Sequence, residues 1–341
     1  MMDKSYFPAS IRIDLAIKFN EGFRAVTDGK WLQLVEVVPS SANAKEEVFY
    51  GQKPMLRRWR GERQPQKFNE YKMKLGSDQW ELTYRWKRKD LNNDQGKRLL
   101  ALTTDFGNEV ALTRQVKFWQ FLRNGSSAKG FDSGYLYDFG HVYTDTAGVT
   151  YGSVQSNMHL GGSQLDATTL QLERQHYAEL ETDKTGIKWG LRLTDIAVYD
   201  GSLNHKAAME LNNSQFTVEA STVRGQMTQN VFQGSFNILP TVYGIGASEW
   251  ISFSTTLPQF KTVKVLSETV NPGFDNPKFT SIGFNGGDET DSSFDRGEVA
   301  IGAEMNFDYN TGYWFTTRLH GSSSYTFTEP DLDSQKVTQQ Y

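Results

Sequence analysis

The sequence predicts an α+β fold in which one long helix supports β-sheets. Residues 93–124 contain no proline, and apolar side chains recur there at steps of three and four residues: Leu99, Leu102, Phe106 and Val110. At ~1.5 Å per residue this helix would be ~48 Å long, well above the usual length. Nearly all other stretches carry strand and turn patterns. The 341 residues exceed what one simple core holds, which predicts two lobes.

The ends of the long helix are marked in the sequence. The asparagines at 92 and 93 are each suited to cap the first turn, and Arg123 suits the negative end of the last turn. Gly125 then predicts a stop, because glycine accepts the left-handed conformation that ends helices. Gly96 and Gly107 weaken the helix and leave room for a bend.

Residues 1–50 predict an N-terminal arm. An amphipathic segment at 15–23 is followed by an apolar run at 31–38, which Pro39 closes. The aromatic side chains of this arm favour burial, yet the segment is too short to bury them alone. We therefore expect the arm to pack on another part of the protein or on a neighbouring copy.

Residues 51–92 predict an extended β-hairpin. Apolar and polar residues alternate at 68–75 and again at 80–86, on both sides of Gly76-Ser77-Asp78. From Lys53 to Arg98 there are 14 Lys or Arg against 6 Asp or Glu, a charge of +8. The rest of the chain has 22 against 34, a charge of -12. The hairpin is therefore basic on an otherwise acidic protein.

Three interpretations of this basic stretch are open. Trp59, Trp80 and Trp86 lie between the basic residues, a combination that can bind nucleic acid. The basic side chains would alternatively form the solvated face of a hairpin. The interpretation that we favour is docking, because a basic loop on an acidic protein suits contact with another copy of itself.

The second half of the chain alternates between short elements. A second helix is predicted over 165–181, capped by Asp166, with a buried face formed by Leu165, Thr169, Leu172, His176 and Leu180. A buried strand at 196–199, a short helix at 203–211, a strand that contains 250–251 and an alternating strand at 261–269 follow. Residues 298–307 and 313–319 predict a final hairpin around 309–312.

No set of residues identifies a catalytic, cofactor or metal site. The five histidines lack the spacing of a helical metal pair, and no nucleophile elbow, phosphate loop or dinucleotide fingerprint is present. Asp288, Asp291 and Asp295 are closely spaced, but without the calcium-loop pattern an exposed loop is favoured over a calcium site. A structural role for His141 is favoured over a catalytic one, because no base or nucleophile can be assigned to it.

Composition bounds the remaining classes. The net charge of -4 gives no general case for nucleic-acid binding, and no apolar run is long enough to span a membrane. The lack of cysteine excludes disulfides and zinc–thiolate sites, and the N-terminus lacks a signal-peptide layout, so we expect a cytoplasmic origin. The carboxylate pair of a glycosidase stays open, because the fold sets its distance.

Several short segments, in order and spacing, resemble the Mu-like bacteriophage major head (capsid) subunit family. They are 19–23 (FNEGF), Trp31 with 38–41, 50–51 with 54–63 (PMLRRWRGER), 87–94 (KRKDLNND) with Gly96, 122–125 (LRNG), 138–141 (DFGH), 190–198 (GLRLTDIAV) and 250–251. The resemblance spans most of the chain. It is densest over 19–141 and thin over 212–300.

The resemblance implies an HK97-type major capsid protein fold. Its parts would be an N-terminal arm at 1–50, an extended loop at 51–92, a peripheral domain at 93–159 with its spine helix at 93–124, an axial domain at 160–260, a return to the peripheral domain at 261–325 and a C-terminal tail at 326–341. The long helix and the hairpin predicted from the residues agree with this layout.

The resemblance also implies a structural function. The chain would be a major capsid protein that self-assembles into the icosahedral head shell of a tailed bacteriophage around double-stranded DNA, with no enzymatic activity and no cofactor. Contacts with neighbouring subunits would be made by Phe19, Phe23, Trp31, Arg57, Arg58, Trp59, Arg60, Arg63, Lys67, Trp80 and Trp86. The arginines are expected to form salt bridges with acidic surfaces of the neighbouring subunits.

Partners follow from the same resemblance. The chain would form pentamers and hexamers of itself, with separate scaffold and portal proteins and a possible decoration protein, and it would contact packaged DNA only weakly. A separate scaffold is expected because only a short arm precedes Phe19. The location would be the virion capsid, assembled in the host cell cytoplasm, with no membrane contact.

Three other functions stay open. A tail-tube subunit would share the richness in β-structure, but the long helix argues against it. An encapsulin-like cargo shell would share the fold. A β-rich polysaccharide hydrolase would use the tryptophans as sugar platforms, but no acid and base can be named for it.

Overall fold

The computed structural model describes residues 9–26, 29–52, 56, 58, 59, 61, 63, 69–87, 97–144, 148–160, 164–184, 186–218, 227–268, 275–282 and 298–321. In this part the helices are α1 Ala9–Ala25, α2 Lys97–Arg123, α3 Ala167–Glu179 and α4 Leu203–Asn213, with 3-10 helices at Lys30–Leu34, Asn124–Ser126 and Trp314–Thr316. The strands are β1 Val35–Ser40, β2 Ala44–Tyr50, β3 Glu70–Gly76, β4 Asp78–Lys87, β5 His141–Thr144, β6 Thr150–Gln155, β7 Met158–Leu160, β8 Asp195–Tyr199, β9 Phe216–Val218, β10 Met227–Gln229, β11 Asn237–Thr241, β12 Trp250–Phe253, β13 Val263–Glu268, β14 Lys278–Ile282, β15 Glu298–Thr311 and β16 Thr317–Gly321. The predicted α+β fold is confirmed.

The long helix α2 and helix α1 approach each other so closely that glycine is needed at the contact. A Cβ on Gly107 would overlap the carbonyl oxygen of Phe19, and one on Gly22 would overlap the carbonyl oxygen of Thr104. Gly107, which weakens the isolated helix, is therefore a packing requirement of the folded chain. The helix ends at Arg123, one residue before the predicted end, but the predicted left-handed stop is wrong, because Gly125 lies in the 3-10 helix Asn124–Ser126 and has no positive φ. The predicted start and Gly96 lie outside the described residues.

The first large sheet, sheet I, is organised around β15. Strand β15 pairs on one side with β4 and on the other with β14 and then β13, all antiparallel, and β1 adds in parallel to β13. Helix α2 packs on this sheet, where the Tyr309 hydroxyl donates a hydrogen bond of 2.7 Å to the backbone carbonyl of Arg114. The long helix thus supports a sheet, as expected.

The second large sheet, sheet II, has the strand order β11, β8, β12, β16, β7. Its central strands are buried, which confirms the strands predicted at 196–199 and 250–251. The helix predicted at 203–211 is α4. The predicted cap of α3 is confirmed too, because the Asp166 side chain accepts a 2.7 Å hydrogen bond from the Thr169 N–H in a capping box.

The predicted hairpin between residues 68–75 and 80–86 is wrong. Strand β3 pairs with β2, and β4 pairs with β15, so the two strands belong to different sheets. Only Ser77 separates them, which leaves no room for a two-residue turn, and Gly76 has no positive φ. Instead Ser77 donates its N–H to the Asn43 carbonyl, and the chain runs on extended from one sheet to the other.

The predicted final hairpin is also wrong. The segment predicted as its first strand is part of β15, which continues to Thr311 in sheet I, whereas β16 pairs with β12 and β7 in sheet II. The 3-10 helix Trp314–Thr316 between them redirects the chain. Two adjacent strands of the sequence therefore connect the two large sheets instead of pairing with each other.

The predicted buried face of α3 is right at its two ends and wrong between them. Leu165 and Leu180 are buried, whereas Leu172 is 58% exposed and the helix itself buries Leu170, Glu173 and Tyr177. A hydrophobicity pattern does not find the buried set, because it assigns a charged residue such as Glu173 to solvent. The carboxylate of Glu173 is instead paired inside the protein.

One continuous apolar core extends from α1 and α2, through sheet I, to sheet II and its helices. Its largest buried side chains are tryptophans from successive parts of the chain: Trp119, Trp189, Trp250 and Trp314. The three-residue cluster of Val38, Leu75 and Leu266 lies apart from it and holds β3 against sheet I.

Candidate functional site

The basic loop between β2 and β3 presents its described side chains to solvent. Arg58 and Arg63 are exposed, Trp59 is 64% exposed, and Leu56 is fully exposed to solvent. Large apolar side chains left in water among cations mark a surface that is suited to a partner. The other basic residues that were predicted for the interface, Arg57, Arg60 and Lys67, lie outside the described residues, as does Lys53.

The aromatic residues of the arm have a different environment. Phe19 stacks on Phe279 at 4.9 Å between ring centroids, and Trp31 lies 4.9 Å from the ring of Phe118. The guanidinium of Arg114 covers the ring of Phe23 at 4.4 Å. Each of the three arm aromatics is buried in the core of its own chain, so the contribution of these side chains to an interface stays a prediction.

The two tryptophans predicted for the hairpin lie on β4 and are partly buried. The Trp80 indole donates a 2.9 Å hydrogen bond to the carbonyl of Phe307, and the Lys117 ammonium lies 4.2 Å from its ring centre. Trp86 packs edge-on to Tyr84. The structure therefore separates the predicted interface residues into an exposed group on the loop and a packed group on the arm and β4.

Both ends of the basic loop are attached to one residue, Asp183, in the turn that follows α3. The Asp183 N–H donates to the Gly51 carbonyl at 2.9 Å. Its Oδ2 accepts hydrogen bonds from the Asn69 amide at 2.9 Å and from the Tyr71 hydroxyl at 3.1 Å. Burial, followed by the charge of Asp183, raises the pKa of Tyr71, so the hydroxyl stays a donor.

A buried ammonium ties β2 to sheet I. Lys264 of β13 lies 3.0 Å from a carboxylate oxygen of Glu36 on β1 and 3.3 Å from one of Glu47 on β2. The ammonium also lies 4.9 Å from the ring centre of Phe49. Because three strands contribute to this cluster, the root of the β2–β3 ribbon has a fixed position on the body of the subunit.

A second buried ionic cluster lies in sheet II. Glu173 is 3.0 Å from the Arg318 guanidinium and 2.9 Å from Nε2 of His320, and it accepts a 2.6 Å hydrogen bond from the Ser252 hydroxyl. Glu173, Ser252 and His320 are buried, and the serine hydroxyl donates to the carboxylate and not to the imidazole. The cluster therefore lacks the access and the geometry of a nucleophilic centre.

His141 has the environment of a structural histidine. Its Nδ1 lies 2.7 Å from Asp132, its Nε2 lies 3.0 Å from the Asn157 side-chain oxygen, and its ring stacks on Trp314 at 4.1 Å. These three contacts fix the orientation of the imidazole ring, and the side chain is buried. The acidic residues considered for calcium, at 288, 291 and 295, lie outside the described residues.

Among the residues that the structure describes, no helix is long and apolar enough to cross a membrane. No group of three or more acidic or histidine side chains there is placed to hold a metal ion.

Sequence reasoning missed Asp183, Lys264 and Glu173. Asp183 lies in a polar turn, and Lys264 alternates with apolar residues as a surface lysine would. Their partners are distant in sequence: Tyr71 is 112 residues from Asp183, and Glu47 is 217 residues from Lys264. No local signal identifies such pairs.

Comparison with known proteins adds an independent observation. Residues 9–176 match the family model described as Mu-like prophage major head subunit gpT. This match covers α1, the basic loop, α2 and most of α3. No curated protein matches the chain.

Solved structures of similar shape include shell proteins. A chain from the procapsid of bacteriophage JBD30 is 15% identical with a TM-score of 0.49, over 96% of this chain and 79% of that one. A chain from the satellite phage P4 procapsid that includes the size determination (Sid) protein is 11% identical with a TM-score of 0.45, over 90% and 98%. A chain from the virus-like particle of Pyrococcus furiosus is 11% identical with a TM-score of 0.48, over 90% and 98%.

Proposed function

We propose that this chain, which belongs through residues 9–176 to the Mu-like prophage major head subunit family, is a bacteriophage major capsid protein that forms the head shell. The family match is the observation that carries the proposal, and it confirms the resemblance seen in the sequence. The single chain agrees with it, because an exposed basic and aromatic loop on an α+β body is suited to contacts between copies.

The first test is self-assembly. The purified chain, with and without a co-expressed scaffold protein, would be imaged by negative-stain electron microscopy and its mass measured by light scattering. Closed shells, tubes, sheets or rings of five or six copies support the proposal. A monomer under both conditions, over a wide range of salt and protein concentration, would contradict it.

The HK97-type layout is the finer part of the proposal. We assign the arm to 1–50, the extended loop to 51–92, the peripheral domain to 93–159 and 261–325, the axial domain to 160–260 and the tail to 326–341. The described chain refines the loop, since the ribbon of β2 and β3 begins at Ala44 and β4 belongs to sheet I. Cryo-electron microscopy of an assembled shell tests each boundary.

The basic loop is the proposed contact with neighbouring subunits. Arg58, Trp59 and Arg63 are exposed and belong to a segment of charge +8, whereas the remainder of the chain carries -12. Arg57, Arg60 and Lys67 are assigned to the same contact by sequence. A cationic loop attracts the acidic body of the next copy, and the apolar Trp59 and Leu56 then bury area that a single subunit leaves in water.

Further partners are proposed from the family alone. Pentamers and hexamers would build the shell, a separate scaffold and a portal would guide it, and a decoration protein would bind its outside. Packaged DNA would be contacted weakly, because the net charge outside the loop segment is negative. The chain would have no enzymatic activity and would be assembled in the host cytoplasm. Mass spectrometry of purified virions tests for each protein partner.

A further inference from the structure

The two ends of the basic loop are far from Asp183 in sequence and close to it in space. Gly51 immediately follows β2, and Asn69 immediately precedes β3. The Asp183 N–H donates a hydrogen bond to the carbonyl of Gly51. The Asp183 carboxylate accepts hydrogen bonds from the side-chain amide of Asn69 and the hydroxyl of Tyr71. One residue of the body therefore holds both ends of the loop through three hydrogen bonds.

The position of Asp183 is itself fixed. Its turn is closed by a 2.7 Å hydrogen bond from the Thr182 N–H to the Ile187 carbonyl. Gly152, at a φ of +75°, faces this turn, and a Cβ there would come 3.1 Å from the Thr182 carbonyl oxygen and 3.3 Å from backbone atoms of Asp183. The turn thus has no freedom to shift toward strand β6.

The groups that Asp183 holds are equally confined. Tyr71 is buried and packs against Phe131 and Tyr143 at centroid distances of 5.8 Å. A Cβ on Gly51 would come 2.8 Å from the rings of Tyr71 and Tyr143. Only glycine lets the chain pass between these rings to reach the Asp183 N–H.

The carboxylate depends on its two side-chain donors. Asp183 is 2% exposed, and its Oδ1 has no hydrogen-bond partner among the described residues, so Asn69 and Tyr71 supply its hydrogen bonds through Oδ2. A buried carboxylate is costly unless donors of this kind satisfy it. The same bonds that satisfy the charge therefore also fix the loop.

We propose that Asp183 is the positioning residue of the basic loop: its carboxylate and N–H hold both ends of the loop and set the direction in which Arg58, Trp59 and Arg63 leave the subunit. Its effect on shell assembly rests on the proposed function of the chain. Its effect on the loop does not, and can be measured on a single subunit.

The test is a distance measurement in the unassembled chain. Because the sequence has no cysteine, Trp59→Cys and Ala178→Cys introduce two unique spin-label sites at exposed positions, one on the loop and one on α3. Double electron–electron resonance should give a narrow distance distribution in this background. Asp183→Ala should broaden and shift it, and Asp183→Asn, whose amide oxygen still accepts hydrogen bonds, should restore most of it.

Two further variants separate positioning from loss of stability. Asn69→Ala with Tyr71→Phe removes both side-chain donors without touching Asp183, and it should broaden the distribution even if Asp183→Ala fails to fold. Gly107→Ala lowers stability at the distant contact between α1 and α2 and should leave the distribution unchanged. An unchanged distribution in folded Asp183→Ala, or in the double variant, overturns the proposal.

Assembly is then compared in the chain without labels. Asp183→Ala should melt as one cooperative unit but form fewer closed shells than the wild type, and Asp183→Asn should recover them. If Asp183→Ala forms shells as well as the wild type, the positioning role in assembly is wrong. If the wild type itself forms no shell, the proposed function fails, while the distance measurement still decides whether Asp183 holds the loop.

Discussion

The carboxylate of Glu173 lies 2.9 Å from Nε2 of His320, between helix α3 and strand β16. The His320 ring stacks on Trp250 at 3.6 Å, and the Arg318 guanidinium lies 3.0 Å from the same carboxylate oxygen, Oε2. Burial would by itself raise the pKa of Glu173, but the His320 ring and Arg318 outweigh it and lower the pKa to about 2. This cluster links α3 to sheet II through charge.

The Glu173 cluster predicts acid lability. A carboxyl whose folded pKa is lowered from 4.5 to about 2 gives stability that is present above pH 4.5 and is lost as the pH falls toward 2. Burial lowers the pKa of His176 from 6.5 to about 4, so the unfolded chain binds that proton first and stability already falls below pH 6.5. Because Asp308 titrates in the opposite direction, urea unfolding is measured on the unassembled Asp308→Asn chain at pH 7, 5 and 3, where the free energy of unfolding should decrease continuously.

The variant Glu173→Gln measures the contribution of the Glu173 carboxylate to stability. Removing one partner of a buried ion pair costs about 3–5 kcal/mol, so the free energy of unfolding should fall by about that amount at pH 7. The decrease between pH 4.5 and pH 2 should become smaller, because the titrating group is gone. Glu179→Gln, an exposed change on the same helix, is the control. Equal stability of the two variants at pH 7 would contradict the role of the cluster.

The contact between α1 and α2 predicts a steric effect at Gly107. Alanine is the better helix former, so an isolated helix would gain from Gly107→Ala. In the folded chain the new Cβ overlaps backbone atoms of α1, which cannot move aside as a flexible side chain would. We expect a loss of about 1–3 kcal/mol in the free energy of unfolding.

Gly76→Ala is the matched control for this prediction, because a Cβ there meets no atom within 4 Å. Its free energy of unfolding should stay within about 0.5 kcal/mol of the wild type. A stabilised Gly107→Ala chain in the same urea titration would show that the helices are further apart than the structure has them.

The sequence predicts those elements whose signals are local. Helix α2 follows from its apolar spacing, and α3 follows from the Asp166 cap. Strand pairing is not local: nothing in residues 70–87 identifies β2 and β15 as the partners of β3 and β4. A glycine-containing turn was therefore predicted where the chain runs straight through Ser77.

The candidate site divides in the same way. The exposure of Trp59 agrees with a surface loop of high charge, which composition indicates directly. The burial of Phe19 within its own chain depends on Phe106 and Phe279, the second of which is 260 positions away. The role of Asp183 could not be predicted from the sequence, since an aspartate in a polar turn is most often solvated.

Asp308 predicts an opposite pH effect in sheet I. Burial, with a smaller contribution from Asp78, raises its pKa from 3.8 to about 6, although the Tyr309 N–H and Lys117 oppose the shift. A carboxyl with a raised folded pKa is most favourable to folding below pH 3.8, and that contribution is lost as the pH rises through 6. Asp308→Asn should therefore be more stable than the wild type at pH 7, by about 1 kcal/mol after solvent screening.

This advantage of Asp308→Asn should disappear near pH 4, where the native carboxyl is largely protonated. Urea titrations at pH 4 and pH 7 measure the difference, with the exposed change Asp14→Asn as the control. If the stability advantage of Asp308→Asn instead increased as the pH fell, the pKa of Asp308 would be lowered in the folded chain, and the prediction would be wrong.

Charge reversal on the loop tests the proposed contact between copies. Arg58 and Arg63 are exposed, so Arg58→Glu with Arg63→Glu should leave the melting temperature of the unassembled chain nearly unchanged. Shell formation should be lost, because two charges are reversed, a net change of four units, on the face that meets an acidic neighbour. Assembly of the wild type should weaken as salt rises, since exposed charge pairs are screened within about 8–10 Å at physiological ionic strength.

The control carries the same change in net charge away from the loop. Arg192→Glu with Lys206→Glu alters two exposed basic residues, one before β8 and one on α4. Sedimentation and electron microscopy then compare the two double variants with the wild type across a salt series. If the control loses shells as completely as the loop variant, net charge and not the loop controls assembly. If the loop variant assembles normally, the loop arginines do not form the contact between subunits.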